Sequence, residues 1–542
     1  MMHGGRIVAR ALKAEGIDHV FTLCGGHIQN IYDGCIDEGI RVVDVRHEQT
    51  AGHAADGYAR VTGKPGVALV TAGPGVTDVV TAVANAQRAG VPMVVIGGAG
   101  PLAFKHMGSL QDMDHVELMR SITKWSATVT EVRRIEEFVT MAFRAATSGV
   151  PGPVFLEIPL DILMNFASDA DLVRPTKYRT EHTPGVDPDA IADASEILAS
   201  AKRPMLIVGS QYRWSRRPNA LATFLAKNRM PTYLNGMARG SLASDHACFF
   251  AHTRRKALKR ADAVIVLGTP FDFRLDYGRE GTWAEGAKVV QVDLDANEIG
   301  RNRAVDVGIV GDSGLALEAL GQNMGAFDAT EWLEAMRGEE EKKVSAIQAE
   351  MKSDGSPVNP LRVCAEVARY VDENTIVVGD GGDFVATAAY TLPIRRPGLW
   401  MDPGPLGTLG VGPGYAMAAK LARPDSKVIL MSGDGSFGLH AMEWEAMARQ
   451  DIKVVGVIGN DAGWTQILRG QREMFGEDRV VATTLKHTRY ERVVEACGGK
   501  GFYAETADQV SRALENAFAC DEPALVNVKI GASDFRKGAI SV

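Results

Sequence analysis

Two carboxylates stand at the ends of consecutive apolar segments in the last third of the sequence. Gly433-Asp434-Gly435-Ser436 directly follows the apolar residues 428–431, and Asn460-Asp461 follows the next apolar segment, residues 454–458. A strand end that opens into glycines leaves backbone N–H groups free to face a phosphate, and a carboxylate beside them can ligate Mg²⁺. Magnesium uses one or two protein carboxylates and takes its other oxygen ligands from phosphate and water. The spacing therefore predicts a site for a metal ion and a phosphate group at these two strand ends.

Simpler interpretations compete with this one. Gly-Asp-Gly alone is a common turn, and only its pairing with Asn460-Asp461 after the adjacent strand favours a metal site. The run Gly410-Val411-Gly412-Pro413-Gly414 superficially resembles a dinucleotide-binding fingerprint. Its proline and the missing downstream acidic partner argue against that function, so we interpret the run as close helix packing.

A third carboxylate, Glu48, stands in Arg46-His47-Glu48 immediately before a helix-like segment, residues 51–60, and Gly73-Pro74-Gly75 follows the next apolar segment. A glutamate in this position can cap the positive end of the helix. Burial against an apolar ring would instead raise its carboxyl pKa and suit it to sharing a proton. Taken alone, the capping role is favoured. The metal and phosphate motif elsewhere in the chain favours proton sharing.

Around these residues, short apolar runs alternate repeatedly with helix-like stretches. This alternation is typical of parallel sheets with helices on both faces, and such sheets would position the residues. We predict an α/β protein with three consecutive doubly wound parallel-sheet domains, at residues 1–165, 188–335 and 358–532. The polar, proline-bearing residues 166–188 are interpreted as a linker, and the charged run 337–343 as the solvated face of a linking helix. The predicted strands are 19–23, 42–45, 66–71, 93–96, 154–158, 204–208, 263–268, 288–292, 375–378, 399–401, 428–431, 454–458 and 524–528.

Length, composition and charge limit the class of protein. The chain has 542 residues, too many for one core and enough for about three domains. Its net charge of −8 does not attract nucleic acid, so local groups must hold any anionic ligand. The six cysteines form no CxxC pair, no export signal is visible, and the apolar runs are far shorter than the ~20 residues that cross a bilayer. We expect a cytoplasmic protein whose partners include neither nucleic acid nor membrane.

Together these motifs resemble the thiamine-diphosphate-dependent enzymes of the acetolactate synthase superfamily, and the likeness spans the chain. The resemblance implies a pyrimidine-binding first domain, a central domain with a candidate nucleotide or CoA-ADP site, and a diphosphate-binding third domain. Residues 533–542 would be a C-terminal tail and a candidate lid. The resemblance also implies thiamine diphosphate and Mg²⁺ as cofactors, and a homodimer or homotetramer with active sites at the subunit interface.

The resemblance assigns roles to individual residues. Glu48 would hydrogen-bond a ring nitrogen of the aminopyrimidine and favour the imino tautomer, which can then remove the thiazolium C2 proton. Leu409 would wedge between the two rings of the cofactor, and the backbone of Gly407 would accept a hydrogen bond from its amino group. The remaining predicted cofactor contacts are Gly73, Asp383, Phe384, Gly433, Gly435, Ser436, Trp464 and Thr465.

Three groups would hold the metal by the same resemblance. They are the carboxylates of Asp434 and Asp461 and the backbone carbonyl of Gly463. The family usually has asparagine at the position of Asp461, and Asn460 is the alternative ligand.

Short stretches resemble one branch of the superfamily, the acetolactate-synthase-like 2-hydroxyacyl-CoA lyases, at residues 23–28, 459–467 and 534–538. Those enzymes cleave a 2-hydroxyacyl-CoA to formyl-CoA and an aldehyde or ketone, and can run in reverse. On this interpretation His27 and Gln111 would hydrogen-bond the substrate hydroxyl or alkoxide. Glu473 is either a proton carrier or a solvated helix residue. Candidate anchors for the acyl-CoA substrate are Arg274, Asp293, Arg536 and Lys537.

Two other functions share most of these residues. An acetolactate synthase or another 2-ketoacid decarboxylase or ligase would use the same cofactor residues and differ only in its substrate pocket. A non-catalytic binding protein on the same fold is a more distant alternative, because Glu48, Gly433 and Asp434 are all present. Bound FAD, which some acetolactate synthases carry without a redox role, stays open.

Overall fold

The computed structural model describes residues 1–325 and 327–531 and contains three parallel β-sheets that follow one another along the chain. A two-stranded antiparallel pair, Met2–His3 with Phe166–Ala167, ties the N-terminal residues to the linker. The predicted fold class of three consecutive α/β domains is confirmed. The predicted tail, residues 533–542 with Arg536 and Lys537, lies outside the described residues.

The first sheet has six parallel strands. Numbered along the chain, they lie side by side in the order 2-1-3-4-6-5, which is Arg41–Asp44, His19–Thr22, Gly66–Val70, Met93–Ala99, Pro153–Pro159 and Ser126–Thr128. The strand order reverses between the first and third strands, so the loops after them diverge and leave a crevice. The helices of this domain are Gly4–Ala14, Gln29–Glu38, Glu48–Thr62, Pro74–Ala89, His115–Arg120, Ile135–Thr147 and Leu160–Met164.

The third sheet repeats this topology. Its parallel strands are Trp400–Met401, Ile376–Asp380, Val428–Gly433, Val455–Asn460, Ala524–Lys529 and Lys500–Ala504, again in the order 2-1-3-4-6-5. The first and third domains therefore present equivalent crevices. The helices here are Pro360–Ala368, Asp383–Thr391, Gly412–Ala422, Asp434–Phe437, Glu443–Arg449, Thr465–Phe475, Tyr490–Ala496 and Ala507–Ala519.

The central sheet has five parallel strands in the order 2-1-3-4-5, which is Thr232–Leu234, Pro204–Val208, Ala263–Leu267, Lys288–Asp293 and Val307–Val310. Its helices are Pro188–Ser200, Ala220–Lys227, Arg254–Leu258 and Ser313–Asn323, and the long helix Thr330–Met351 leads to the third domain. Buried apolar side chains cluster on both faces of this sheet, while one large cluster runs through the first and third domains. Within the described ranges, no helix combines the length and apolarity needed to cross a bilayer.

All the strands predicted from apolar runs are present, with slightly different ends. The strands that were missed are the antiparallel pair Met2–His3 and Phe166–Ala167 and, in the parallel sheets, Ser126–Thr128, Thr232–Leu234, Val307–Val310 and Lys500–Ala504. Each of them is an edge strand of its sheet. The missed strands have only two to five residues and most are partly solvated, so they lack the continuous apolar run that marks a buried parallel strand. The edge strands Arg41–Asp44 and Trp400–Met401 were predicted because apolar residues mark them.

The charged run 337–343 lies on the helix Thr330–Met351, but the prediction that it is solvated is wrong for Glu340. This side chain is 5% exposed. It accepts hydrogen bonds from the backbone N–H groups of Ala251 and His252 at 2.8 and 2.9 Å and from the Thr253 hydroxyl at 2.7 Å. The carboxylate thus ties the linking helix to the central domain.

Helix Glu48–Thr62 of the first domain packs against helix Gly412–Ala422 of the third. The packing is close because Gly57 faces Tyr415, where an added Cβ would lie 2.9 Å from the Tyr415 Cα. Asp56 accepts hydrogen bonds from the Tyr415 hydroxyl at 2.7 Å and from Arg60 at 2.6 Å, all of them buried. Within the glycine-rich run around residue 412, a Cβ added at Gly414 would lie 2.8 Å from the Thr50 carbonyl oxygen of the facing helix, so the run serves helix packing, as the sequence predicts.

A second contact between these domains should make their stability pH-dependent. Glu443 is 1% exposed and accepts two hydrogen bonds, at 3.1 and 3.0 Å, from the backbone N–H of Arg46. Burial raises its pKa to about 7. The folded state therefore binds this proton more tightly than the unfolded state does. Its stabilising contribution is complete below the ordinary glutamate pKa and is lost as the pH rises through about 7.

We expect Glu443→Gln to flatten this pH dependence. Between about pH 5 and 8, the wild type should lose about 1–3 kcal/mol of unfolding free energy relative to the variant. Thermal unfolding of both proteins at three pH values measures the difference. The control is Glu445→Gln on the same helix, where the carboxylate is in a more exposed ion pair with Arg449. Parallel curves for wild type and Glu443→Gln would contradict the prediction.

Candidate functional site

A cavity of about 690 Å³ opens where the third sheet reverses its strand order, at the carboxyl ends of Ile376–Asp380 and Val428–Gly433. Ligands of doubly wound folds bind at such reversals, and the volume is typical of small-molecule sites. Third-domain and central-domain residues line it. Those with predicted roles are Asp383, Phe384, Gly407, Leu409, Gly433, Asp434, Gly435, Ser436, Asp461, Gly463, Trp464 and Thr465.

Asp434 and Asp461 are neighbouring carboxylates at two adjacent strand ends. Burial raises the pKa of Asp434 to about 7, and the nearby charge of Asp461 is the second cause. The backbone N–H of Gly463 donates to Asp434 at 3.2 Å, and the Thr465 hydroxyl donates to Asp461 at 2.5 Å. Both carboxylates are therefore held in place. Two buried carboxylates this close remain ionised only when a cation compensates them.

Asn460, the alternative metal ligand, is already used within the protein. Its amide N–H groups donate to the Thr488 carbonyl at 3.1 Å and to the Asn527 side chain at 3.2 Å. Its oxygen accepts a hydrogen bond from the backbone N–H of Ala462 at 3.3 Å. These contacts leave Asp461 as the candidate ligand. Ala462 adopts a left-handed conformation, with φ of 58°, which turns the chain sharply beside Asp461.

The donor set fits a hard divalent cation that is shared with a ligand. Two carboxylates cannot enclose a metal ion, and the described residues contain no cluster of three or more His, Cys, Asp or Glu side chains that could do so. A cation beside Asp434 must therefore take further oxygens from a bound ligand or from water. There is room for it, because a Cβ added at Gly433 would meet no atom within 4 Å.

Glycines let the backbone approach this cavity closely. Gly381 has φ of +147°, and a Cβ there would lie 3.0 Å from the backbone nitrogen of Gly433. At Gly435 a Cβ would lie 2.6 Å from the Trp464 ring. Side chains at these positions would displace the strand ends or the tryptophan. The glycines therefore leave N–H groups accessible to an anion.

Asp380, which no sequence motif indicated, positions the Leu409 loop. It is fully buried and accepts hydrogen bonds from the backbone N–H groups of Gly410 and Gly412, both at 2.9 Å. Burial raises its pKa to about 6. The feature of the sequence that could have indicated Asp380 is its position as the charged last residue of an otherwise apolar strand.

Three predicted site residues are placed differently from what their roles suggest. The Asp383 carboxylate is ion-paired with Arg469, so only its backbone can approach a phosphate. The Phe384 ring packs against Gly459, where a Cβ would lie 2.5 Å from it. Glu473 is exposed on helix Thr465–Phe475 and does not line the cavity. A solvated helix position describes Glu473 better than a proton carrier does.

Glu48 begins the helix Glu48–Thr62 and is 7% exposed. Burial raises its pKa. The capping role weighed for Glu48 belongs to His47, whose ring accepts a hydrogen bond from the Gln49 backbone N–H at 3.1 Å. Among the described residues, none from the first domain lines the 690 Å³ cavity. Glu48 is therefore a buried carboxylate whose target lies outside that cavity as one chain forms it.

His27, Gly73 and Gln111 come together at the reversal point of the first sheet. The His27 ring lies 3.3 Å from the Thr71 hydroxyl, and a Cβ added at Gly73 would lie 2.8 Å from the Gln111 Cβ. Burial lowers the pKa of His27, which keeps its ring neutral. Neutral imidazole and amide side chains can both donate hydrogen bonds to a substrate oxygen.

Family models of thiamine pyrophosphate enzymes match all three domains. The N-terminal TPP binding domain matches residues 2–118, the central domain 191–320 and the C-terminal TPP binding domain 380–528. The chain belongs to the thiamine pyrophosphate enzymes. This thiamine pyrophosphate enzyme therefore carries Glu48 in one cofactor-binding domain and the Asp434–Asp461 pair in the other.

Relatives with two different names cover nearly the whole enzyme. A probable acetolactate synthase of Mycobacterium bovis (strain ATCC BAA-935 / AF2122/97) is 41% identical over 529 residues, 97% of this chain and 95% of the relative. The 2-hydroxyacyl-CoA lyase 2 of Caenorhabditis elegans is 39% identical over 589 residues, 100% of this chain and 91% of the relative. The 2-hydroxyacyl-CoA lyase 2 of Homo sapiens is 37% identical over 584 residues, 100% of this chain and 92% of the relative. Identity alone does not distinguish the two activities.

This thiamine pyrophosphate enzyme has a second and larger cavity, of about 910 Å³, between the central domain, the linking helix and the third domain. It shares Asn235, Arg239, Arg274, Ala389 and Tyr390 with the lining of the 690 Å³ cavity, which we call the cofactor cavity because most of its lining belongs to the C-terminal TPP binding domain. Six cationic side chains line it against two carboxylates, Glu340 and Glu350; the cations are Arg239, Arg254, Arg255, Arg274, Arg337 and Lys343. The cavity therefore favours an anionic ligand that reaches toward the cofactor.

Of the predicted CoA anchors, Arg274 lines both cavities and is ion-paired with Asp272 at 2.7 Å. Asp293 lies instead at the carboxyl end of its central strand and is fully buried, and burial raises its pKa to about 6. One of its oxygens accepts hydrogen bonds from Gln211 and from the Asp295 backbone, both at 2.8 Å. The other oxygen has no partner in the described part of the chain.

Proposed function

We propose that this enzyme is a thiamine-diphosphate- and Mg²⁺-dependent 2-hydroxyacyl-CoA lyase. It cleaves a 2-hydroxyacyl-CoA to formyl-CoA and an aldehyde or ketone, and the reaction is reversible. The observation that carries the proposal is the 910 Å³ cationic cavity that adjoins the cofactor cavity. A cytoplasmic location is part of the proposal and fits six free cysteines.

The charges of the cavity support a phosphate-bearing substrate. Burial lowers the pKa of the Arg254 guanidinium, and the neighbouring Arg239 and Arg274 lower it further. No carboxylate among the described residues pairs with Arg254 or Arg239, and the Arg239 Nε is buried without a hydrogen-bond partner. Buried cations are stable when an anion is bound beside them. The phosphates of CoA supply such anions, whereas a substrate the size of pyruvate would leave the cavity largely empty.

The enzyme's own residues divide the work around the reacting atoms. When bound, thiamine diphosphate supplies a carbon nucleophile and an electron sink. Glu48 holds a proton at a ring nitrogen of the cofactor. His27 and Gln111 donate hydrogen bonds to the substrate hydroxyl or alkoxide, where charge develops in the transition state. Asp434 and Asp461 would hold Mg²⁺, and the metal would compensate the negative charge of the diphosphate.

A second copy of the chain completes the site. Glu48, His27 and Gln111 belong to the first domain, and the cofactor cavity is lined by the central and third domains of the described chain. A homodimer, or a homotetramer built from two dimers, brings the first domain of one subunit to the third domain of another. This arrangement agrees with the two separate TPP binding domains of the chain.

Release of formyl-CoA from a 2-hydroxyacyl-CoA, measured in parallel with pyruvate consumption, tests the proposal. We expect Arg254→Gln to raise KM for the CoA thioester about 10–100-fold, because a charge-assisted hydrogen bond contributes about 1.5–3 kcal/mol. The control is Lys259→Gln, an exposed charge just beyond the same short helix and outside the cavity. Pyruvate consumption without formyl-CoA release, or an unchanged KM in Arg254→Gln, would count against a CoA substrate.

Acetolactate synthesis is the second candidate because of the 41% identity to the mycobacterial relative. The central domain carries an observation that would fit it. The unpartnered Asp293 oxygen and two buried hydroxyls without partners, those of Thr269 and Ser313, belong to residues at or just after the carboxyl ends of three adjacent central strands. Such a crevice suits a nucleotide. A purified enzyme that is yellow and releases FAD would favour acetolactate synthesis, and co-purified CoA would favour the lyase.

A further inference from the structure

A buried imidazole–carboxylate pair in the first domain has no part in the chemistry described above. His115 is fully buried and Glu157 is 8% exposed, and the His115 Nδ1 lies 2.7 Å from a Glu157 oxygen. The other Glu157 oxygen accepts a hydrogen bond from the Thr128 hydroxyl at 2.7 Å. The Thr128 hydroxyl and the imidazole thus hold the carboxylate on both sides.

The second ring nitrogen of His115 faces the active-site side. The backbone N–H of Gly73 donates to Nε2 at 2.8 Å, and this contact is buried. Because the Gly73 N–H is a donor, Nε2 must be the acceptor and Nδ1 must carry the proton. Glu157 accepts that proton's hydrogen bond. The two partners together select one neutral tautomer of His115.

Gly73 depends on this contact more than an ordinary helix start does. It has φ of 60° and ψ of −111° and precedes the helix Pro74–Ala89 without a side-chain cap. Its N–H would be a buried donor without a partner if His115 were absent. The 2.8 Å approach of an added Gly73 Cβ to Gln111 means that the position of this turn also sets the position of Gln111.

His115 is also linked to Gln111 through the backbone. The chain from Ser109 to His115 is tightly folded, since the Asp112 N–H donates to the Ser109 carbonyl at 3.1 Å and the His115 N–H to the Met113 carbonyl at 3.0 Å. Gln111 itself has φ of 60°, a left-handed conformation that a glutamine adopts only when its surroundings impose it. His115 therefore contacts Gly73 through its ring and lies in the same tightly folded segment as Gln111, four positions along the chain.

We propose that His115 and Glu157 are positioning residues that hold the Gly73 turn and Gln111 in place for catalysis. The inference rests on the proposed role of Gln111 at the substrate oxygen. Neither His115 nor Glu157 touches the substrate. A misplacement of about 1 Å at a reacting centre lowers a rate by as much as about 10²-fold, so removal of the acceptor at Nε2 should reduce kcat more than it changes KM.

Two substitutions of the same buried ring separate positioning from structural support. His115→Gln can still place an amide oxygen where Nε2 accepts from Gly73. His115→Asn can keep a donor near the Nδ1 position for Glu157 but cannot reach Gly73. Both lose the imidazole, so both should lose a similar amount of thermal stability. We expect kcat to fall about 10–100-fold in His115→Asn and to stay within about threefold of wild type in His115→Gln.

Equal activity of the two variants, whether high or low, would overturn the proposal. A second measurement is solid-state ¹⁵N NMR of the wild-type enzyme with labelled histidine. It requires no substrate and does not depend on whether the variants fold. We expect the His115 signals of the neutral Nδ1–H tautomer, and the Nε2–H tautomer would overturn the proposal. If the wild type uses pyruvate instead of a CoA thioester, the proposed function fails, but the same comparison of Asn and Gln variants still tests the positioning role.

Discussion

Replacement of Glu48 by glutamine should lower turnover by about 10²–10⁴-fold while thiamine diphosphate still binds. The amide keeps the size and the hydrogen-bonding shape of the carboxyl group but cannot exchange a proton with the ring nitrogen of the cofactor. Burial raises the pKa of Glu48, so its carboxyl group shares a proton more readily than an exposed glutamate would. The measurements are kcat with the CoA thioester, the Kd of the cofactor, and the rate at which the cofactor C2 proton exchanges with deuterium.

The exchange rate makes this prediction specific. Glu48→Gln should slow exchange and turnover together, because both require the same proton transfer. Asp78→Asn is the matched control, since it removes an exposed carboxylate whose charge contributes to the raised pKa of Glu48. It should leave turnover within a few-fold of wild type. If Glu48→Gln turned over at the normal rate, the assignment of Glu48 as the activating residue would be wrong.

Asp434→Asn should have an effect of similar size, but on binding. Its carboxylate is buried beside Asp461, and removal of one member of a buried charged assembly costs about 3–5 kcal/mol. We therefore expect the apparent affinity for Mg²⁺ and thiamine diphosphate to weaken by about 10²–10⁴-fold. Calorimetric titration of the dialysed, chelator-treated enzyme with cofactor at several Mg²⁺ concentrations measures this loss.

The neighbouring position should respond differently. The related enzymes usually have asparagine at the position of Asp461, so Asp461→Asn keeps a ligand that this type of metal site accepts, and metal affinity should stay within about tenfold of wild type. Asp461→Ala has no ligand and should bind metal as poorly as Asp434→Asn. The prediction fails if Asp461→Ala binds Mg²⁺ normally. In that case Asn460 would become the ligand candidate again, despite its hydrogen bonds to Thr488 and Asn527.

The local chemistry was largely readable from the sequence. Long apolar runs marked the buried strands, because a parallel strand covered on both faces is apolar throughout. Motifs at their ends predicted roles for Glu48, Asp434 and Asp461, since strand ends and the loops after them carry the polar groups. The family matches then agreed with the resemblance carried by those motifs. Edge strands such as Lys500–Ala504 were missed because half-exposed strands have no such run.

The supporting contacts could not be read in this way. Asp380 holds the loop of Leu409 from 30 positions earlier in the chain, and His115 holds Gly73 across 42 positions. The ion pair that removes Asp383 from the phosphate site likewise joins two separate helices, Asp383–Thr391 and Thr465–Phe475. Sequence spacing reports which residues share a strand or a helix face, but not which loops meet.

The sequence by itself therefore determined the fold class and the enzyme family, and it predicted the residues that would bind the cofactor, because all of these depend on local patterns within single elements. Tertiary structure alone decided which carboxylates remain available. It assigned the helix cap to His47 rather than Glu48, engaged Asn460 within the protein, and buried Glu340 in the domain junction. It also placed a cationic cavity against the cofactor site. The physical reason is that burial and charge pairing depend on residues distant in the chain. Burial and pairing set the pKa of each group and decide which of its atoms remain free to bind a ligand.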